Sequence, residues 1–127
     1  MQQVINQLLK GKLTLVLSLI ITIGIVYLSL NKPNQHSSIN IKHLDKIQHC
    51  FAYFIFAITW LITAHNKNIK NYVIIIFCIS FGILLEFLQE ILTDYRTGDL
   101  LDVLANSTGV LLGLLFFDKI FKKKWLN

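Results

Sequence analysis

The stretch LTLVLSLIITIGIVYLSL, Leu13 to Leu30, runs for 18 residues without a charge. At about 1.5 Å per residue, a helix of that length covers most of a hydrocarbon core about 30 Å thick, so the stretch reads as a membrane span. Three more apolar stretches of similar length follow it. Ile47 to Ala64 is broken only by Gln48 and His49 at its start, Tyr72 to Leu92 holds Glu86, Gln89 and Glu90, and Leu100 to Phe117 holds Asp102 and Asn106. Each is about twice the length of a transmembrane strand, and none sustains a two-residue alternation. The expected fold is all-α, a polytopic membrane protein built as a compact bundle of four transmembrane helices, with spans near 13–30, 47–64, 72–92 and 100–117 in a single domain over residues 1–127.

Composition supports the same class. Of 127 residues, 54% are hydrophobic and 15% charged, whereas soluble domains typically carry about 45–50% and 25%. Mean hydropathy is +0.60. One Pro, six Gly and two Cys argue against a collagen-like repeat, a disulfide scaffold or a zinc ribbon. The net charge of +5 sits between or outside the apolar blocks, as membrane flanks do, and not on a platform for bases, so no nucleic-acid partner is expected. Lys119, Lys122, Lys123 and Lys124 form a basic cluster suited to anionic lipid headgroups. Lys10 and Lys12 precede the first span as a signal peptide's charged region would. The apolar run is too long for that reading, however, and Ser29 to Pro33 offers no small-x-small cleavage site, so a retained span is expected.

Lysine and arginine positions set the expected orientation. The N-terminus, the His65–Asn71 connection and the C-terminus carry eight, against four in the Asn31–Lys46 and Thr93–Asp99 connections. Both termini are expected in the cytoplasm; the three lysines of the first connection leave the inverted topology open. Ile39 to Leu44 could lie along the membrane surface.

Alternating helix directions bring the polar residues of three spans to one depth. Asp45, His49 and Tyr53 share a face at the start of the second span, Glu86, Gln89 and Glu90 share one near the end of the third, and Asp102 and Asn106 lie one turn apart at the start of the fourth. This coincidence holds in either topology. Glu86 lies about 9 Å inside the apolar zone, where a carboxylate without a partner is expensive, so it needs one; His49, Arg96 and Asn106 are the candidates. Five of the seven acids fall between Glu86 and Asp102, a crowd suited to a cation or to a cationic or hydrogen-bond-rich ligand.

Plainer roles fit several of these residues. Asp45 followed by Gln48 resembles a capping box, Asp99 is placed to cap the fourth helix after Arg96-Thr97-Gly98, and Glu90 and Asp94 suit the headgroup layer. Gly109 and Gly113 form a small-xxx-small pair for close packing within the chain or between two copies, and Gly82 lets a neighbouring backbone approach. No H-E-x-x-H occurs, and His36, His43 and His65 lie in connections, so neither a metal site nor a cofactor is expected. Cys50 and Cys78 belong to opposite ends of their spans and are too far apart in depth to pair.

Taken together, Asp45-Lys46-x-x-His49-x-x-x-Tyr53, Glu86-x-x-Gln89 and Arg96-x-x-Asp99-x-x-Asp102-x-x-x-Asn106-x-x-Gly109-x-x-x-Gly113 resemble the VanZ-like family of small bacterial membrane proteins, over Asp45 to Phe117 and without the first span. The resemblance implies a multi-helix membrane domain, and its founding member is linked to reduced susceptibility to the glycopeptide teicoplanin. It carries over no catalytic residue. Three functions stay open: binding of an envelope lipid or lipid-linked precursor by the polar cluster; an intramembrane enzyme with Glu86 or His49 as acid or base and Lys46 and Arg96 holding phosphate; or a structural or assembly partner using the Gly109/Gly113 face, with pairing of two chains one form of it.

Overall fold

The computed structural model describes residues 1–3, 5–6, 12–31, 44–94 and 99–119. It contains four long helices, α1 (Lys12–Leu30), α2 (Leu44–Asn66), α3 (Asn71–Leu92) and α4 (Leu100–Phe116), and no strand among the described residues. All four are long and apolar enough to cross a membrane. The expected spans coincide with them except that α2 is longer at both ends, because the helix continues through the polar residues Asp45, Lys46, His65 and Asn66 that flank the apolar run. The 39–44 segment expected at the surface lies almost entirely outside the described residues, as do His36, His43 and Lys122 to Lys124.

The helices alternate in direction around α2, whose largest interface is with the parallel α4. Glycine explains why those two approach so closely. A Cβ added at Gly109 would lie 2.9 Å from the carbonyl carbon of Cys50 and closer still to its oxygen, and one at Gly113 would lie 3.0 Å from both the Phe54 carbonyl oxygen and Ala57 Cβ. The small-residue face thus serves packing inside the chain, against α2. Gly82 differs from its expected role: side chains rather than a backbone fill the space beside it, with Tyr53 Cε1 at 3.2 Å and Asn106 Cβ at 3.4 Å from the added carbon.

Phe56, Ala57, Leu61, Ala64, Cys78, Leu85, Val110 and Phe117 make the core. Phe56 stacks at 5.1 Å on Phe81, and Trp60 meets Phe77 edge-on at 5.5 Å. Outward, Ile20, Ile23, Leu28, Ile76, Phe87, Leu104 and Leu115 are exposed, an apolar belt that only lipid or protein can solvate well. Polar contacts tie α1 to its neighbours: the Ser18 and Thr63 hydroxyls meet at 2.9 Å, Trp60 Nε1 donates to Thr22 Oγ1 at 3.0 Å, and Gln89 Nε2 donates to the Ser29 carbonyl at 2.8 Å. Cys50 and Cys78 are free thiols.

The tight α2–α3 turn has a local cause. Ile69 N–H donates to the Ala64 carbonyl at 2.9 Å and Asn68 N–H to that of His65 at 3.2 Å, closing a Schellman motif. Its pivot is Asn68 at φ 57°, a left-handed conformation that asparagine tolerates better than most residues.

Candidate functional site

The start of α2, the end of α3 and the start of α4 meet at one end of the bundle. Lys46, in the first turn of α2, extends its ammonium between three carboxylates. It donates to Asp45 Oδ2 at 3.0 Å, to Asp99 Oδ2 at 2.9 Å and, closest of all, to Asp102 Oδ1. Asp45 lies inside the helix, not ahead of it as a capping box requires, and there it holds Lys46 and complements the helix dipole.

One turn deeper, His49 Nδ1 meets Asn106 Oδ1 at 3.1 Å and lies 4.0 Å from Glu86 Oε1. The other carboxylate oxygen of Glu86 accepts a long bond from Asp99 N–H at 3.5 Å. Of the expected partners of Glu86, His49 lies beside it, and Asn106 meets the same imidazole nitrogen. Glu86 is only 5% exposed, Asp102 8% and Asn106 2%. Four carboxylates and one ammonium share this volume, so acceptors exceed donors among the described side chains.

Asp99 shapes the entrance. It is the N-cap of α4, its Oδ1 accepting from Leu101 N–H at 2.9 Å, as its place after the turn suggested. The Lys46 ammonium, with help from the Leu101 N–H, holds the Asp99 carboxyl below its ordinary 3.8. A depressed folded-state value means that this contact contributes stability above the unfolded value and loses it as pH falls through the folded one. Asp99→Asn retains the cap but not the ion pair. Its thermal midpoint is therefore expected to lie slightly below that of wild type at pH 7, with the two curves converging at pH values below 3.8; a gap that widens toward acid would contradict the assignment.

One expected member sits apart: Gln89 is turned to the α1 carbonyl end, where it fastens α1 to α3. Tyr53 is buried below His49, edge-on to Phe56 at 5.6 Å, and shares with Asn106 the space beside Gly82. Arg96 lies outside the described residues. Spacing along the chain also concealed one feature. His49, Glu86 and Asp102 each offer a donor atom, and these atoms all lie within 4.8 Å of one another. Because each comes from a different helix, no single run of sequence spaces them as a metal-binding motif would.

The VanZ/LLP1 family profile matches residues 2–122. The chain belongs to the VanZ/LLP1 family. The family match takes in α1 as well as the Asp45 to Phe117 segment, so the first helix is part of the VanZ/LLP1 unit and not an addition to it, in agreement with the side-chain bonds that hold α1 in place. The chain is also similar to the uncharacterized protein C11E3.10 of Schizosaccharomyces pombe (strain 972 / ATCC 24843), at 34% identity over 73 residues, covering 56% of this chain and 44% of that protein. It therefore spans less than half the length of that relative. No solved structure matches the chain.

Proposed function

We propose that this protein is a multi-pass protein of the bacterial cytoplasmic membrane, with both termini in the cytoplasm, that binds the headgroup of an amphiphilic or lipid-linked ligand at the Lys46–His49–Glu86–Asp99–Asp102–Asn106 cluster. One observation carries the reading. Three helices converge to bury Glu86, Asp102 and Asn106 at one end of a bundle whose helices turn a belt of large apolar side chains outward. Intramembrane carboxylates are costly enough that they usually line a functional cavity. Lipid tails would lie against exposed Ile47, Phe51, Leu101 and Leu104, which border the cluster on α2 and α4. An excess of acceptors selects a headgroup rich in donors, such as sugar hydroxyls or an amine. An effect on teicoplanin susceptibility follows from this reading only where the ligand is a lipid-linked wall precursor.

Lipid-resolved native mass spectrometry of wild type and Glu86→Gln tests it. The expected result is one lipid class retained by wild type and lost by the variant, against a common background of annular lipid. Identical lipid profiles from two equally folded proteins would overturn it. The His49–Glu86 contact also favours a second reading, acid–base chemistry on the bound headgroup. In the same experiment that reading predicts hydrolysis by wild type alone: water, its proton taken by Glu86 or His49, adds across a headgroup ester bond, and the freed headgroup and the shortened lipid both accumulate with time.

A further inference from the structure

We propose that His49, Glu86, Asp102 and Asn106 form a binding site for a divalent metal ion, of the six-coordinate kind that Mn2+ represents. The geometry is that of a ligand shell. The imidazole of α2, the Glu86 carboxylate of α3 and the Asp102 carboxylate of α4 place donor atoms within 4.8 Å of one another. A six-coordinate ion with bonds of about 2.1–2.5 Å separates neighbouring ligands by about 3.0–3.5 Å and opposite ones by about 4.2–5.0 Å. A tetrahedral zinc site, with bonds near 2.0 Å, needs all its ligands only about 3.3 Å apart. His49 Nδ1 to Asn106 Oδ1, at 3.1 Å, has the spacing of neighbouring ligands, whereas His49 Nδ1 to Glu86 Oε1, at 4.0 Å, is wider than a tetrahedral shell allows and falls nearer the opposite positions of the larger one.

Asn106 supplies an independent pointer. It is 2% exposed, its carbonyl oxygen faces the same imidazole nitrogen as Glu86, and its amide nitrogen Nδ2 is buried without a hydrogen-bond partner among the described residues. Buried side-chain amides are normally satisfied, and a bound ion that reorients the amide, or a water, is among the explanations for one that is not. As a ligand, Asn106 would turn its oxygen to the ion, and His49 would give up the proton that Nδ1 shares with it.

Charge points the same way. Asp45, Asp99 and Asp102 share the single ammonium of Lys46 among the described side chains, Glu86 lies beside the His49 imidazole instead, and a dication held by Glu86 and Asp102 relieves the excess of negative charge. Lys46 engages Asp102 through Oδ1, and a carboxylate has lone pairs enough to serve both cations. One imidazole, two carboxylates and an amide oxygen form a set that accommodates Mn2+ better than the thiolate-seeking ions.

The test uses the full chain, purified in detergent, stripped with a chelator and titrated with Mn2+ alone, free ion being read by electron paramagnetic resonance. Because no lipid ligand is added, its outcome is separate from that of the headgroup reading. One Mn2+ per chain is expected, bound at least tenfold more weakly by Glu86→Gln and Asp102→Asn, and within about threefold of wild type by Asp45→Asn. Asn106→Asp is the sharper variant: as a ligand change it should tighten Mn2+ binding. Should the variants fail to fold, pulsed resonance of wild type decides, since a directly bound His49 nitrogen couples to the Mn2+ electron spin. Absence of stoichiometric binding, affinity unchanged in Glu86→Gln and Asp102→Asn, or no nitrogen coupling would each overturn the proposal.

Discussion

A single methyl group at position 109 is expected to cost the fold about 3 kcal/mol, the upper end of the usual range for overpacking. The reason is what it meets. The added carbon of Gly109→Ala lies 2.9 Å from the Cys50 carbonyl carbon and 3.1 Å from its Cα, and backbone inside a helix cannot rotate aside as a side chain does. The strain falls on the α2–α4 interface, the most extensive in the bundle, and so pushes His49 and Lys46 away from Asn106 and Asp102. Gly113→Ala, at 3.0 Å from its nearest neighbours, should cost less, and Gly109→Leu should prevent folding. Gly24→Ala is the control: nothing lies within 4 Å of its added carbon, and the higher helix propensity of alanine should leave stability equal or slightly raised. Thermal unfolding in detergent checks the series. A Gly109→Ala midpoint equal to that of Gly24→Ala would refute the close packing.

Removal of the Lys46 ammonium should be nearly as damaging, and it can be reversed. Lys46→Met leaves three carboxylates without their shared donor. Asp45 and Asp99 side chains are 60% and 40% exposed and lose little, since water and salt screen them. Asp102, at 11%, bears most of the loss, and breaking a fully buried pair from one side costs about 3–5 kcal/mol. With partial access to the headgroup layer, about 2–3 kcal/mol is expected here. Adding Asp102→Asn to Lys46→Met removes the stranded charge and should recover most of the stability, a coupling that a double-mutant cycle measures directly. Additive losses would show that the two residues do not share an ion pair.

Much of this architecture was legible in the sequence, for reasons that can be stated residue by residue. Four charge-poor runs imply four spans because only helices of that length satisfy their own backbone in lipid. Alternating direction then obliges the start of α2, the end of α3 and the start of α4 to share an end, and that is where Lys46, His49, Glu86, Asp99, Asp102 and Asn106 meet. What could not be read is which polar group faces which. Gln89, three residues after Glu86, shares its face in projection, yet it bonds the Ser29 carbonyl, a partner that exists only because α1 ends beside α3. Gly82 looked like a backbone contact but makes room for Tyr53 and Asn106. The Gly109/Gly113 pair fitted a second chain as well as α2, and only the packed bundle assigns it to α2. The His49–Glu86–Asp102 triad has no spacing signature at all, since each donor belongs to a different helix.

The central claim is that the polar cluster is built for a ligand and not only for the fold. Delipidated protein, challenged with one purified lipid class at a time, tests it most directly through the thermal midpoint, because a ligand that binds only the folded state raises stability by mass action. The account predicts that a lipid with a donor-rich headgroup raises the wild-type midpoint in a concentration-dependent way and leaves that of Glu86→Gln unmoved. Equal shifts in both proteins with every lipid would mean that the bilayer merely solvates the bundle, and would contradict it.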